Sequence, residues 1–297
     1  MAVNVKTPNG PTYIDIDGFR VTKSYPVDLF REALKYQPEP DDKFVASFPK
    51  TGTTWMQQIG YVIFNKGVPP RSAQDFHDSG PFLELVGAAV KQRIKGGLIK
   101  THLPYSMAPK HPLAKYLYVC RNPKDTCVSF FYHTRRFSEY GFNDGKFEDF
   151  FEVFLRGDTD NGDYFDHVLS WYEHRNDPNV MFVHYEDVRT DPKHWILKIA
   201  EFFDEHYHRL LLKDETMMQR VLEYSGMHFM KVTAVEVFEK LYPDESARST
   251  SDFIRKGIIG DWKHHLSSEM NTRLEKKIYQ KLVETDLIDV WRKYGVV

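Results

Sequence analysis

Three short runs of apolar, strand-forming residues limit the architectures open to this chain: Phe44-Val45-Ala46-Ser47-Phe48, Tyr116-Leu117-Tyr118-Val119-Cys120 and Val180-Met181-Phe182-Val183. Each is continuous rather than alternating, the pattern of a strand covered on both faces. A weaker run, Gly97-Leu98-Ile99-Lys100-Thr101-His102, lies between the first two. Helical periodicity occupies 55–64, 149–155, 164–174, 192–203, 214–224 and 268–283. Strands alternating with helices predict an α/β fold, a central and mostly parallel sheet flanked by helices. No internal repeat or low-complexity tract divides the 297 residues, so a single domain over 1–297 is expected. The polar stretches 138–146, 156–163 and 243–252 read as surface loops, the last a candidate mobile lid.

Composition then narrows the function. With 41% apolar and 15% aromatic residues the chain can bury a sizeable core, which argues against disorder. Forty Lys and Arg against 42 Asp and Glu give a net charge of −2, so no global basic field exists to hold nucleic acid. Any anion site must be local. The first twenty residues carry Lys6, Asp15, Asp17 and Arg20 with no signal-peptide core, and no stretch approaches about 18 consecutive apolar residues. Cys120 and Cys127 fit neither a disulfide framework nor a paired Cys-x-x-Cys zinc pattern, and there is no Asn-x-Ser/Thr sequon. A cytoplasmic chain with no membrane partner is the expectation.

Four segments carry chemistry. Phe48-Pro49-Lys50-Thr51-Gly52-Thr53-Thr54-Trp55 sits where a strand ends and an amphipathic helix begins. Unpaired N–H groups at a helix start, a glycine that admits close approach, threonine hydroxyls and a lysine make a phosphate cradle. Lysine precedes the glycine here, unlike G-x-x-x-x-G-K-[ST], and no companion magnesium-binding aspartate is evident, so no metal is expected. In Lys100-Thr101-His102-Leu103-Pro104 the strand period puts Lys100 and His102 on one face, a cation beside a potential base. Nearby lysines disfavour the protonated imidazole and keep it available as a general base.

The third segment is Arg121-Asn122-Pro123-Lys124-Asp125, with Ser129 about two turns into the helix that Asn122 and Pro123 should start. A guanidinium and a hydroxyl could grip one phosphate there, or Arg121 could pair with Asp125 at the surface. The fourth, Arg255-Lys256-Gly257-Ile258-Ile259-Gly260-Asp261-Trp262-Lys263, is a second anion nest.

Taken in order, these segments resemble the cytosolic sulfotransferase family over about residues 44–263, with lesser matches at Pro81-Phe82-Leu83-Glu84 and Tyr185-Glu186-Asp187. The resemblance implies sulfuryl transfer from 3′-phosphoadenosine 5′-phosphosulfate (PAPS) to a hydroxyl or amine of a small acceptor, leaving adenosine 3′,5′-bisphosphate (PAP). It implies that Lys50, Thr51, Gly52, Thr53 and Thr54 cradle the 5′-phosphosulfate. Arg121, Ser129, Arg255, Lys256 and Gly257 would bind the 3′-phosphate, and Trp55, Tyr185, Ser225 and Met227 the adenine. Methionine at 227 is a departure, since an aromatic ring more often stacks there. His102 would be the general base, Lys50 and Lys100 would stabilise developing charge, and Ser129 would restrain Lys50 before acceptor binds.

The same resemblance puts Phe82 and Leu85 in the acceptor pocket, with Phe30 and His133 as further candidates. Aromatic walls suit a phenol or catecholamine; a steroid or other alcohol is the alternative. At Lys263-His264-His265-Leu266-Ser267-Ser268-Glu269-Met270-Asn271-Thr272 the family's dimer motif keeps its lysine but loses its valine and closing glutamate. A monomer or weak homodimer is expected. Two rival classes stay open: a magnesium-dependent phosphoryl transferase, and a silent nucleotide-binding scaffold.

Overall fold

The computed structural model describes residues 1–93, 96–232 and 255–297. The expected lid at 243–252 lies outside the described residues. A three-stranded antiparallel meander opens the chain: β1 (Ala2–Lys6), β2 (Thr12–Ile16) and β3 (Phe19–Val21). Asp17 and Gly18, both at positive φ, make the β2–β3 turn, the backbone that lets a two-residue hairpin follow strand twist. The central sheet holds β4 (Lys43–Ala46), β5 (Ile99–Thr101), β6 (Lys115–Cys120) and β7 (Val180–His184) in the order β5-β4-β6-β7, every pair parallel.

The pleat explains why these strands read as unbroken apolar runs. Phe44, Ala46, Tyr116, Tyr118 and Cys120 enter one core, while Val45, Leu117, Val119 and Val183 enter the other. The first core also takes Trp171, Leu274, Ile278 and Trp291. The second is closed by the helices Thr53–Phe64, Pro192–Phe203 and Glu215–Tyr224, through residues such as Ile59, Ile199 and Val221. Helices therefore cover both faces.

The strand order positions the site. From β4 the chain moves to one side for β5 and then crosses to the other for β6, so its direction switches beside β4. A crevice opens at the carboxyl ends of the strands at such a point. Lys50, His102, Arg121 and Tyr185 all follow the carboxyl end of a strand.

The third segment builds as its punctuation predicts. Asn122 caps the helix Pro123–Arg136 by accepting from Asp125 N–H at 2.8 Å, with Pro123 in its first turn. Arg121 and Asp125 do not form a surface pair: both are buried and their nearest charged atoms stand 3.7 Å apart. Two of the expected surface loops also need correction. Residues 138–140 form a 3-10 turn with Tyr140 buried, and Thr159, Asp160 and Asn161 are buried within 156–163. Ordinary loop polarity does not reveal that these side chains face inward.

Asp125 ties the sheet to the basic segment. Its carboxylate accepts from Gly260 N–H at 2.9 Å, Trp262 N–H at 3.0 Å and Asn122 Nδ2 at 2.9 Å. Asp125→Ala strands these buried and half-buried donors, and a loss of about 2–4 kcal/mol in unfolding free energy is expected from denaturant titration. Wild-type stability in that variant would show that the contacts do not hold the segment.

Candidate active site

The loop after β4 is held in a conformation that points its donors outward. Lys50 lies at φ +70° and Gly52 at φ +117°, left-handed geometry that a side chain rarely adopts. A Cβ at Gly52 would stand 2.9 Å from the Tyr185 ring, so only glycine fits. The first helical bond is Met56 N–H to Gly52 O at 3.0 Å, which leaves the N–H groups of Thr53, Thr54 and Trp55 without a helical acceptor. The threonine hydroxyls behave differently from the expectation. Thr51 Oγ1 donates inward to Phe48 O at 2.8 Å and Val119 O at 3.0 Å, and Thr53 Oγ1 pairs with Ser47 Oγ at 2.5 Å. Their hydroxyls brace the turn.

A cavity of about 510 Å³ opens beside this loop. Every residue expected to carry the site lines it except Thr51 and Phe30. Phe30 is fully buried behind the wall, 6.1 Å from Tyr25, which does line it. Thr51 is enclosed beneath the loop.

Cations crowd one part of the cavity. Burial pushes Lys50 down to about 7, helped by the charges of Lys100, Arg121, Arg136 and Arg255. Burial lowers Lys100 to about 8, with Glu84 opposing the shift. Arg121 lies over the Tyr185 ring, 4.5 Å from its centroid, and donates through Nη2 to Ile258 O at 3.0 Å. Arg255 and Lys256 both bond Asp261, the latter at 2.7 Å. Burial raises the Asp261 carboxyl, but hydrogen bonds from these two cations overcome it and bring the group to about 2. The buried Nε atoms of Arg121 and Arg255 have no hydrogen-bond partner among the described residues.

Trp55 and Tyr185 pack edge to face at 5.3 Å, and Trp55 Nε1 donates to Ser225 O at 2.9 Å. Ser225 Oγ donates to Val221 O at 2.6 Å, which leaves it an acceptor toward the cavity. A Cβ on Gly257, at φ +63°, would overlap Met227. Two glycines, two orphaned guanidinium nitrogens and an aromatic pair thus suit a ligand with two anionic groups and a flat ring.

The His102 ring is held in one tautomer. Its Nδ1 stands 2.7 Å from Ser47 O, and a carbonyl can only accept, so Nδ1 carries the proton and Nε2 the lone pair. Burial and then the Lys100 charge hold its pKa well below the ordinary imidazole value. Phe82 packs edge-on to the ring at 5.1 Å.

Three supports were given no role in the site by the sequence. Glu84 Oε1 accepts from His102 N–H at 2.5 Å and from Thr101 Oγ1 at 3.0 Å. Tyr118 donates to His167 Nδ1 at 2.9 Å, and His167 Nε2 donates to His102 O at 3.0 Å. Only the strand period hinted at Tyr118, and nothing local marked His167.

The sulfotransferase domain profile matches residues 40–286. The chain belongs to the sulfotransferase family. Rabbit (Oryctolagus cuniculus) amine sulfotransferase is 33% identical over 264 residues, covering 86% of this chain and 85% of the relative. Human (Homo sapiens) sulfotransferase 1E1 is 31% identical over 284 residues, covering 92% and 94%. The solved structure of mouse sulfotransferase SULT7A1 complexed with PAP aligns with a TM-score of 0.74 at 26% identity, covering 95% of this chain and 98% of that one. Within this sulfotransferase, Glu84→Ala should lower kcat at least tenfold by loosening His102, while Glu84→Gln, which keeps an oxygen acceptor, recovers most of it. Undiminished turnover in the alanine variant would remove Glu84 from the catalytic geometry.

Proposed function

We propose that the chain transfers a sulfuryl group from PAPS to the hydroxyl of a small aromatic acceptor. The observation that carries this is the pairing of a two-nest anion cavity with a neutral, correctly protonated histidine beside it. Lys50, Thr51, Gly52, Thr53 and Thr54 hold the 5′-phosphosulfate, using backbone N–H groups where the Thr51 and Thr53 hydroxyls were expected to contribute. Arg121, Ser129, Arg255, Lys256 and Gly257 take the 3′-phosphate; Trp55, Tyr185, Ser225 and Met227 enclose the adenine. PAPS supplies the activated sulfuryl group. His102 Nε2 takes the acceptor proton as the oxygen attacks sulfur, and Lys50 stabilises the charge collecting on the departing bridging oxygen. Lys100 faces the transferring sulfuryl oxygens. Ser129 restrains Lys50 until acceptor is bound.

Aromatic walls favour a phenol or catecholamine over a bulkier alcohol. Phe82 lines the cavity with Tyr25 edge-on to it at 5.8 Å, and Leu85, Phe137 and Tyr140 join them. His133 lies among these rings, 4.7 Å from Phe137 and 6.1 Å from Tyr140.

Calorimetry with PAP in magnesium-free buffer, compared with ATP plus magnesium, tests the donor. Tight binding of the bisphosphate alone is expected, and a preference for ATP with magnesium would overturn the assignment. His102→Ala should reduce transfer at least a thousandfold yet bind PAP within about threefold of wild type; equal loss of binding would make His102 structural.

The lysines add a signed pH effect. Lys50 near 7 and Lys100 near 8 are partly neutral in the free chain at pH 8, and a bound anion raises both. PAP binding at pH 8 should take up protons, measurable in buffers of different ionisation enthalpy. Affinity should fall by about tenfold per pH unit for each proton taken up as pH rises from 7 to 9. Proton release at pH 8 would contradict this.

A further inference from the structure

The cavity is chemically lopsided. Its phosphate-binding part carries Lys50, Arg121 and Arg255, whereas the wall beyond His133 is built from Tyr140, Asp160 and Asn161. Asp160 is 3% exposed, and its Oδ2 accepts from Tyr140 O–H at 2.7 Å. Its Oδ1 is buried and has no hydrogen-bond partner among the described residues; the same holds for Oδ1 of Asn161, which is 4% exposed. Two buried acceptors left unused, on neighbouring residues that line the cavity, are costly in a folded protein and call for a donor from outside it.

The loop carrying them is fixed in place. Asn161 sits at φ +64°, and its N–H donates to Arg20 O at 2.8 Å. Thr159 Oγ1 donates to Gly162 O at 2.7 Å, and Thr12 Oγ1 donates to Tyr140 O at 3.0 Å. Arg20 does not neutralise Asp160 by contact: its Nη1 bonds Asp158 O at 2.6 Å and lies 3.5 Å from Asp158 Oδ1. Glu139 brings a second carboxyl to the cavity. An amide oxygen and an ionised carboxylate oxygen accept and do not donate, so the missing partner of these two buried atoms is a donor, and a carboxylate among aromatic rings favours a cationic one.

We propose that Asp160, with Asn161 and Tyr140, seats a protonated amine carried by the acceptor, so that the substrates are hydroxylated aromatic amines held hydroxyl-first toward His102. The amine is an anchor and does not react. Burial raises the Asp160 carboxyl to about 7 against the Tyr140 hydrogen bond and the Arg20 charge, and an apposed cation returns it to the ionised form. The assignment deepens the transfer reading and rests on it for the choice of reacting group.

Three para-substituted phenols of similar size separate the possibilities: 4-(2-aminoethyl)phenol, 4-ethylphenol and 4-hydroxyphenylacetate. In wild type kcat/KM should follow cation, neutral, anion, with at least tenfold between the first two. Asp160→Asn should shrink that cation-to-neutral ratio at least tenfold, with PAP binding and melting temperature as checks on folding. Calorimetry on the PAP-loaded wild-type protein reads the same preference without turnover, as at least tenfold tighter binding of the amine than of 4-ethylphenol. Equal binding of the two, a preference for the anion, or an unchanged ratio in the variant would overturn the amine seat. Selective amine binding with no transfer to any phenol would keep the seat and overturn the sulfuryl-transfer reading instead.

Discussion

Lys50, Lys100, Arg121 and Arg255 converge on one enclosed space closely enough that burial and mutual repulsion bring Lys50 to about 7. Concentrated positive charge of this kind opposes folding unless something fixed beneath it answers it. Buried acids do so in a chain. Glu186 accepts from the backbone and side chain of Asn122 at 2.9 and 2.7 Å, Asn122 meets Asp125, Asp125 holds Gly260 and Trp262, and Asp261 holds Arg255 and Lys256. The carboxylates stand behind the cations and fix their backbone without filling the space in front of them. An anionic ligand then completes a site whose own parts are already oriented, which is the condition for electrostatic catalysis without reorganisation.

The donor side was legible because its chemistry and its fold share the same short segments. A strand buried on both faces must be continuously apolar, and here β4 and β6 each lead into a helix. Phe44 to Thr54 and Tyr116 to Ser129 therefore announced both the sheet and the residues at its carboxyl ends. The Thr51 hydroxyl was expected to face the ligand for a local reason. A hydroxyl beside Gly52 looks like a ligand donor in one dimension, but the turn also has inward carbonyls, Phe48 O and Val119 O, and the latter is distant in sequence.

The acceptor side was much less legible, because no single segment builds it. Tyr25 follows the amino-terminal meander, Phe82 precedes a short helix, His133 and Tyr140 flank a helix end, and Asp160 lies in a loop. The Asp17-Gly18 pair between Tyr13-Ile14-Asp15-Ile16 and Phe19-Arg20-Val21 was an available hairpin signal. Even with it, nothing local would have shown that Arg20 O receives Asn161 N–H across the chain. Loop composition reports polarity, and polarity at 156–163 pointed outward where the structure turns Asp160 and Asn161 inward.

This division has a mechanical consequence. His102 stands at the seam, with its ring set by Ser47 at the end of β4 and its backbone by Glu84 and His167. Tyr118 of β6 fixes His167, so His102 is referenced to two neighbouring strands of the sheet and, among the described residues, makes no hydrogen bond to the meander. Changes in the wall carrying Tyr25, Tyr140 and Asp160 can therefore alter what the cavity admits without moving His102. Separating a rigid catalytic frame from a wall assembled by distant loops lets one chemistry serve different acceptors.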